Sequence, residues 1–184
     1  MRSLLIFLSF LLIESNTNLT QIELTNLSGQ IEKINLAKGP KGTVLFFLSP
    51  ECPLCQSYSL TIRNFQKAYA AKGFQFIAII PGKEFSKESV IEFRNHYQLK
   101  GLQFWFDPNL ELVKFTQASI TPEAIVFNAK GQKIYQGRID NWAYELARKR
   151  KVITAHELQD VLVQLDQKKE VKFHKTKAVG CFIN

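Results

Sequence analysis

The sequence predicts an α/β fold: a central mixed β-sheet flanked by helices, with an N-terminal β-hairpin extension. Three observations carry that prediction. Two continuous apolar runs, at 43–48 and 74–80, have the length of strands buried on both faces. Between them, residues 53–72 switch to a helical period, with Tyr58, Ile62, Phe65 and Tyr69 on one face. Gly73 then stands where a helix ends in a left-handed turn. Strand, helix, strand at this spacing forms a βαβ unit, whose two strands run parallel with a right-handed crossover.

The remaining elements follow in order. Residues 20–36 read as two short strands around Ser28-Gly29, and 38–42 is a turn cluster of Lys, Gly and Pro. Ser86 can cap a helix reaching about Tyr97, with Val90, Ile91, Phe93 and Tyr97 facing inward. A short strand at 102–106 leads to Asp107-Pro108, which predicts a helix with Asp as N-cap and Pro in its first turn. Residues 124–127 and 133–139 are strands around the turn 128–131, and form an antiparallel hairpin. Thr154-Ala-His-Glu157 has the pattern of a capping box opening a last helix, with Leu158, Val161, Leu162 and Leu165 on its apolar face. The tail 171–184 is basic and then apolar, and is expected to pack back on the body.

The 184 residues are 46 % hydrophobic and 22 % charged, which excludes a largely disordered chain and suits one domain with its own core. Residues 1–15 read as a signal peptide: Arg2, then apolar residues through Ile13, with cleavage expected after Ser15. That run is shorter than the roughly 20 residues a bilayer span needs, so the chain is expected not to span a membrane once the leader is gone. Residues 16–184 form the expected single domain with a basic C-terminal tail. The formal charge of +8 is uneven, since residues 148–177 hold nine basic against four acidic side chains. This fits a solvated helix face and tail on an exported protein, and no nucleic-acid partner is expected.

Three cysteines are too odd a number for a disulfide framework. Cys52-Pro-Leu-Cys55 falls between a buried strand and the first turn of a helix, the setting of a redox dithiol. Pro53 starts the helix without needing a donor, and the free N–H groups of the first turn favour a thiolate on Cys52. Cys55, one turn further in, is placed to resolve a mixed disulfide formed on Cys52. Glu51 opposes the thiolate. A zinc site needs two more paired ligands, and Cys181, His96, His156 and His174 show no such spacing, so no metal is expected.

On these residues the chain resembles the thioredoxin-like fold superfamily. The segment 46–55 is similar to the active-site segment of exported redoxins, the TlpA-like thiol–disulfide oxidoreductases among them. Residues 120–127, Ile-Thr-Pro-Glu-Ala-Ile-Val-Phe, are similar to the segment that carries a cis-proline facing the CxxC. Residues 128–140 resemble the hairpin that follows it, and 175–181 the end of some of these chains; the resemblance covers roughly 22–183. It implies a thioredoxin-like fold and a cis bond at Thr121-Pro122, with Thr121 and Pro122 shaping substrate contact. A cis bond there leaves the Thr121 backbone free to pair with a bound peptide.

The implied function is thiol–disulfide exchange on exported proteins, periplasmic or extracellular, with Cys52 as nucleophile and Cys55 resolving. Partners are then protein dithiols or disulfides and a redox partner protein, and no cofactor is required. Two alternatives stand beside it. One is a thiol peroxidase using Cys52, although the peroxiredoxin Pro-x-x-x-Thr-x-x-Cys pattern is absent, with Leu45 and Ser49 at its Pro and Thr positions. The other is a copper-binding or delivery module, although its cysteines are spaced by three residues rather than two. Cys181 is an accessory thiol with several readings open: a mixed disulfide, resolution of Cys52, a link to a partner chain, or no role. Arg138 and Asp140 are expected to form a salt bridge within the hairpin. Pro53 and Leu54 carry no charge, so the direction of exchange stays open.

Overall fold

A computed structural model describes residues 22–184. The signal-peptide reading of residues 1–15 lies outside them. The chain forms β1 (Glu23–Asn26), β2 (Ile31–Lys33), β3 (Gly42–Phe47), α1 (Pro53–Tyr69), β4 (Phe74–Pro81), α2 (Lys87–His96) and β5 (Gln103–Asp107). Then come α3 (Glu111–Thr116), β6 (Ile120–Thr121), β7 (Glu123–Phe127), β8 (Lys133–Gly137), β9 (Ala143–Glu145) and β10 (Arg148–Lys149). The chain closes with α4 (Glu157–Asp166), β11 (His174–Lys175) and β12 (Cys181–Phe182).

Eight strands make one mixed sheet in the order β11-β8-β7-β3-β4-β5-β1-β2. The apolar runs become its centre: β3 is parallel to β4, and β4 to β5. β7 closes on β3 antiparallel, with Ala124 opposite Phe46, and β8 follows as the hairpin partner. The β1–β2 hairpin extends the sheet beyond β5. This is the mixed, helix-flanked sheet that the sequence predicts.

Alternation along the central strands divides the core between the two faces. Val44, Phe46, Ala78, Ile80, Ala124 and Val126 pack with α1, α2 and α4. Leu45, Phe47, Ile77, Ile79, Ile125 and Phe127 pack with α3 and the β1 region. From α1, Tyr58, Ile62 and Tyr69 are buried and Phe65 is partly so. Gly73 ends a 3₁₀ turn after α1 in the left-handed region, with φ 100°.

Three local expectations are corrected. Asp107 is the last residue of β5, and α3 starts later with Leu110 as its N-cap. Asp107 still caps that helix from a distance, because its carboxylate accepts the N–H groups of Glu111 (2.8 Å) and Val113 (2.9 Å). Thr154 does not cap α4, whose N-cap is His156. Instead Thr154 pairs twice with the Asn141 side chain, and Glu157 turns to the Arg138 guanidinium, 2.7 Å from its Nε. The salt bridge expected between Arg138 and Asp140 is therefore absent; Asp140 accepts the Tyr58 hydroxyl at 2.7 Å. For Thr154, Glu157 and Asp140 a partner distant in sequence outcompetes the local one.

Candidate active site

β3 carries the chain to the end of the sheet, where Leu48 N–H still donates to Ile79. Ser49 and Pro50 break the strand, and a turn closes with Cys52 N–H donating to the Ser49 carbonyl at 3.2 Å. Cys52 is the N-cap of α1 and Pro53 opens the helix. No side chain caps this end and no acidic residue sits in its first turn. Its unpaired amides therefore present their partial positive charge to the Cys52 sulfur.

Cys55 lies a turn deeper and is fully buried, accepting the Ser49 N–H on its sulfur at 3.4 Å. Cys52 is 2 % exposed. Its pKa is lowered to about 4, first by the hydrogen bond from the Cys55 thiol and, against the penalty of burial, by one from Cys181. Burial, and then the neighbouring Cys52, push the Cys55 thiol well up. The pair thus separates into one sulfur that is readily a thiolate and one that holds its proton.

The Thr121–Pro122 bond is cis, and β6 lies beside the active-site turn. In its thiol form Cys52 donates to the Thr121 carbonyl oxygen, 3.1 Å away. The sequence-predicted residues Cys52, Cys55, Thr121 and Pro122 are thereby brought together. Cys181 joins them from 129 positions along the chain, with its sulfur 2.7 Å from that of Cys52.

One expectation changes here. The Thr121 backbone is not open, because β12 pairs antiparallel with β6, Cys181 opposite Thr121 and Phe182 opposite Ile120. Ile183 N–H donates to the Ser119 carbonyl at 3.0 Å, and the Thr121 hydroxyl to the Cys181 carbonyl at 3.4 Å. The tail does pack back on the body, and it does so on the edge that the resemblance assigns to substrate. The space left beside Cys181, bounded by Ser49, Pro81, Phe85 and Thr121, is about 110 Å³. Ile120, Gly180 and Phe182 also line a larger space of about 560 Å³.

Sequence reasoning missed two features. One is Gly180, where a Cβ would overlap the Thr121 carbonyl oxygen; a glycine directly before the tail cysteine was the available signal. The other is the buried network in which Asp140 accepts from Tyr58 and from Trp142 N–H (2.9 Å), while Ala143 N–H donates to the Tyr58 hydroxyl (3.3 Å). His96 and His174 are exposed and outside the site. Among the described residues no group of three or more His, Cys, Asp or Glu is arranged to hold a metal ion. No helix among them is long and apolar enough to cross a membrane.

The fold and the site define a thioredoxin-like protein. More particularly, the sequence matches the Redoxin family over residues 14–144, and the chain belongs to that family. No curated protein matches the sequence. Among solved structures, it is similar to a hypothetical protein from Sinorhizobium meliloti 1021, at 21 % identity and TM-score 0.75, covering 88 % of this chain and 89 % of that one. An uncharacterized conserved protein from Geobacillus kaustophilus gives 21 % and 0.75, covering 89 % and 87 %. A secreted Mycobacterium tuberculosis disulfide oxidoreductase homologous to DsbE of E. coli gives 19 % and 0.54, covering 80 % and 96 %. At these identities the likeness is one of fold.

Proposed function

We propose that this chain is a thiol–disulfide oxidoreductase acting on exported proteins, with Cys52 as nucleophile, Cys55 resolving, and Thr121 and Pro122 meeting the substrate backbone. The observation that carries the reading is the pairing of a thiolate-favouring Cys52 at the start of α1 with a buried, protonated Cys55 one turn below. The Cys52 thiolate attacks one sulfur of a substrate disulfide, and the other substrate sulfur leaves as a thiolate. Cys55 then gives up its proton and attacks the Cys52 sulfur, releasing the second substrate thiolate. The substrate disulfide is reduced to two thiols as Cys52 and Cys55 are oxidised to a disulfide; the reverse sequence oxidises a dithiol.

Site of action outside the cytosol, periplasmic or extracellular, is supported by the apolar leader at 1–15 and by the secreted character of the mycobacterial neighbour. The Ile120–Thr121 edge, on which the chain's own tail pairs as an extended strand, favours an extended protein segment as substrate.

The test is insulin reduction driven by dithiothreitol. The wild type should accelerate it, Cys52→Ser should abolish the acceleration, and Cys55→Ser should accumulate a mixed disulfide with the substrate. Unchanged exchange in Cys52→Ser would overturn the reading. Peroxide turnover by the reduced protein would point to a peroxidase, and stoichiometric copper uptake without exchange to a binding module. A glutathione titration of the Cys52–Cys55 couple fixes the direction of exchange.

A further inference from the structure

The C-terminal tail reaches the site along a prepared path. β11 adds to β8 in parallel, and Thr176 N–H donates to the Gln136 carbonyl at 2.9 Å. The Thr176 hydroxyl lies between Tyr135 (2.8 Å) and the N–H of Arg138 (3.1 Å), against Gly137, where a Cβ would overlap it. Gly180 does the same on the other side of the contact, letting the tail lie on the Thr121 carbonyl. Two glycines, one on the body and one on the tail, therefore make room for this approach. What it delivers is the Cys181 sulfur, in line with β6 and in contact with Cys52.

We infer that Cys181 is a third redox-active cysteine, which exchanges directly with Cys52 when β12 occupies the Ile120–Thr121 edge in the way an extended substrate segment would. The inference rests on the reading of Cys52 as the exchanging nucleophile. Strand addition to an exposed edge is a general mode of peptide recognition, in which main-chain pairing sets the register of the side chains. Here the register puts a cysteine opposite the residue before the cis-proline. Phe182 is 76 % exposed, while its neighbours Cys181 and Ile183 pack partly against the core, so the tail is seated with its cysteine at the site.

The chemistry balances with a disulfide, of protein or of glutathione, as the oxidant. The Cys52 thiolate attacks that disulfide, and one thiolate leaves. Cys181 loses its proton to solvent and attacks the Cys52 sulfur, and the second thiolate leaves. A Cys52–Cys181 bond has formed, two cysteine thiols are oxidised, and one external disulfide is reduced to two thiols. While Cys52 is a thiolate, burial and the hydrogen bond and charge of that neighbour hold the Cys181 thiol up to about 12. Once Cys52 is in a mixed disulfide the two contributions from its charge are gone, and Cys181 is freed to deprotonate at the moment it is needed.

The test uses full-length Cys55→Ala protein, reduced and then exposed to oxidised glutathione, acid-quenched, digested and read by mass spectrometry. The expected product joins the Cys52 and Cys181 peptides, with little glutathione left on Cys52. Adding Gly180→Val lifts the tail from Thr121 while keeping the thiol, and adding Cys181→Ala removes the thiol while keeping the strand. Both should raise the glutathione adduct on Cys52 on the order of tenfold, because an intramolecular competitor at high effective concentration is lost. The inference is overturned if Cys55→Ala alone retains glutathione on Cys52 to the same extent as the double variants. Failure of the underlying reading looks different: glutathione would add to Cys52 in none of the proteins.

Discussion

The sulfur of Cys55 sits beneath Cys52 and receives the N–H of Ser49, so the deeper thiol is fixed in place by the same turn that presents the outer one. This makes Cys55 the larger influence on the Cys52 thiolate, ahead of Cys181. Titration of the thiolate absorbance near 240 nm should give Cys52 a midpoint at about 4 in the wild type. Cys55→Ala and Cys181→Ala should both move it upward, Cys55→Ala by more. A larger shift in Cys181→Ala would reverse that ranking.

The same thiolate links stability to pH. The folded pKa of Cys52 is depressed to about 4, against an ordinary value of about 8.5 in an unfolded chain. Its contribution is fully present above the unfolded value and is lost as pH falls towards the folded one. The raised Cys181 thiol acts the other way, its contribution being lost as pH climbs from the unfolded value towards about 12. Urea unfolding of the reduced protein should therefore show the stability margin over Cys52→Ala shrinking from pH 8 to pH 5.

Tyr58 joins α1 to the segment after β8 through Asp140, and both groups are buried. Tyr58→Phe leaves the Asp140 carboxylate with the Trp142 N–H alone and takes from Ala143 N–H its acceptor. The expected loss is about 1–3 kcal/mol, read from the urea midpoint. A loss within a few tenths would mean that water replaces the hydroxyl.

Asp107→Ala removes the carboxylate that satisfies Glu111 and Val113 N–H groups at the start of α3. A cap of this kind contributes about 0.5–2 kcal/mol. Asp107→Asn keeps one acceptor oxygen and should recover part of the loss in thermal unfolding. Equal losses in the two variants would assign the effect to packing.

Legibility in the sequence followed the range of the interactions. β3, α1 and β4 were readable because their signals, apolar runs and a helical period, lie within the elements themselves. Cys52 and Cys55 were readable because four adjacent residues hold the motif. Asp107 was placed too close to its helix, because local rules name a capping residue type and not the three-residue offset from which its carboxylate reaches the first turn, while the Thr154 side chain found a distant partner in Asn141. The short β9–β10 ribbon has no periodic run to announce it. Cys181 could not be placed, because its position depends on a two-residue strand pairing with a segment 60 residues earlier.

The two ends of the eight-stranded sheet bear on how this molecule meets its neighbours. β2 at one end has three residues, all exposed, with Glu32 and Lys33 beside Ile31, and β11 at the other is only His174 and Lys175. Short, charged margins such as these are poor templates for a foreign chain and guard against edge-to-edge polymerisation. A visiting extended segment is thus turned away from the sheet's flanks, while the short edge beside the active-site cysteine carries the chain's own tail and, with it, the Cys181 sulfur.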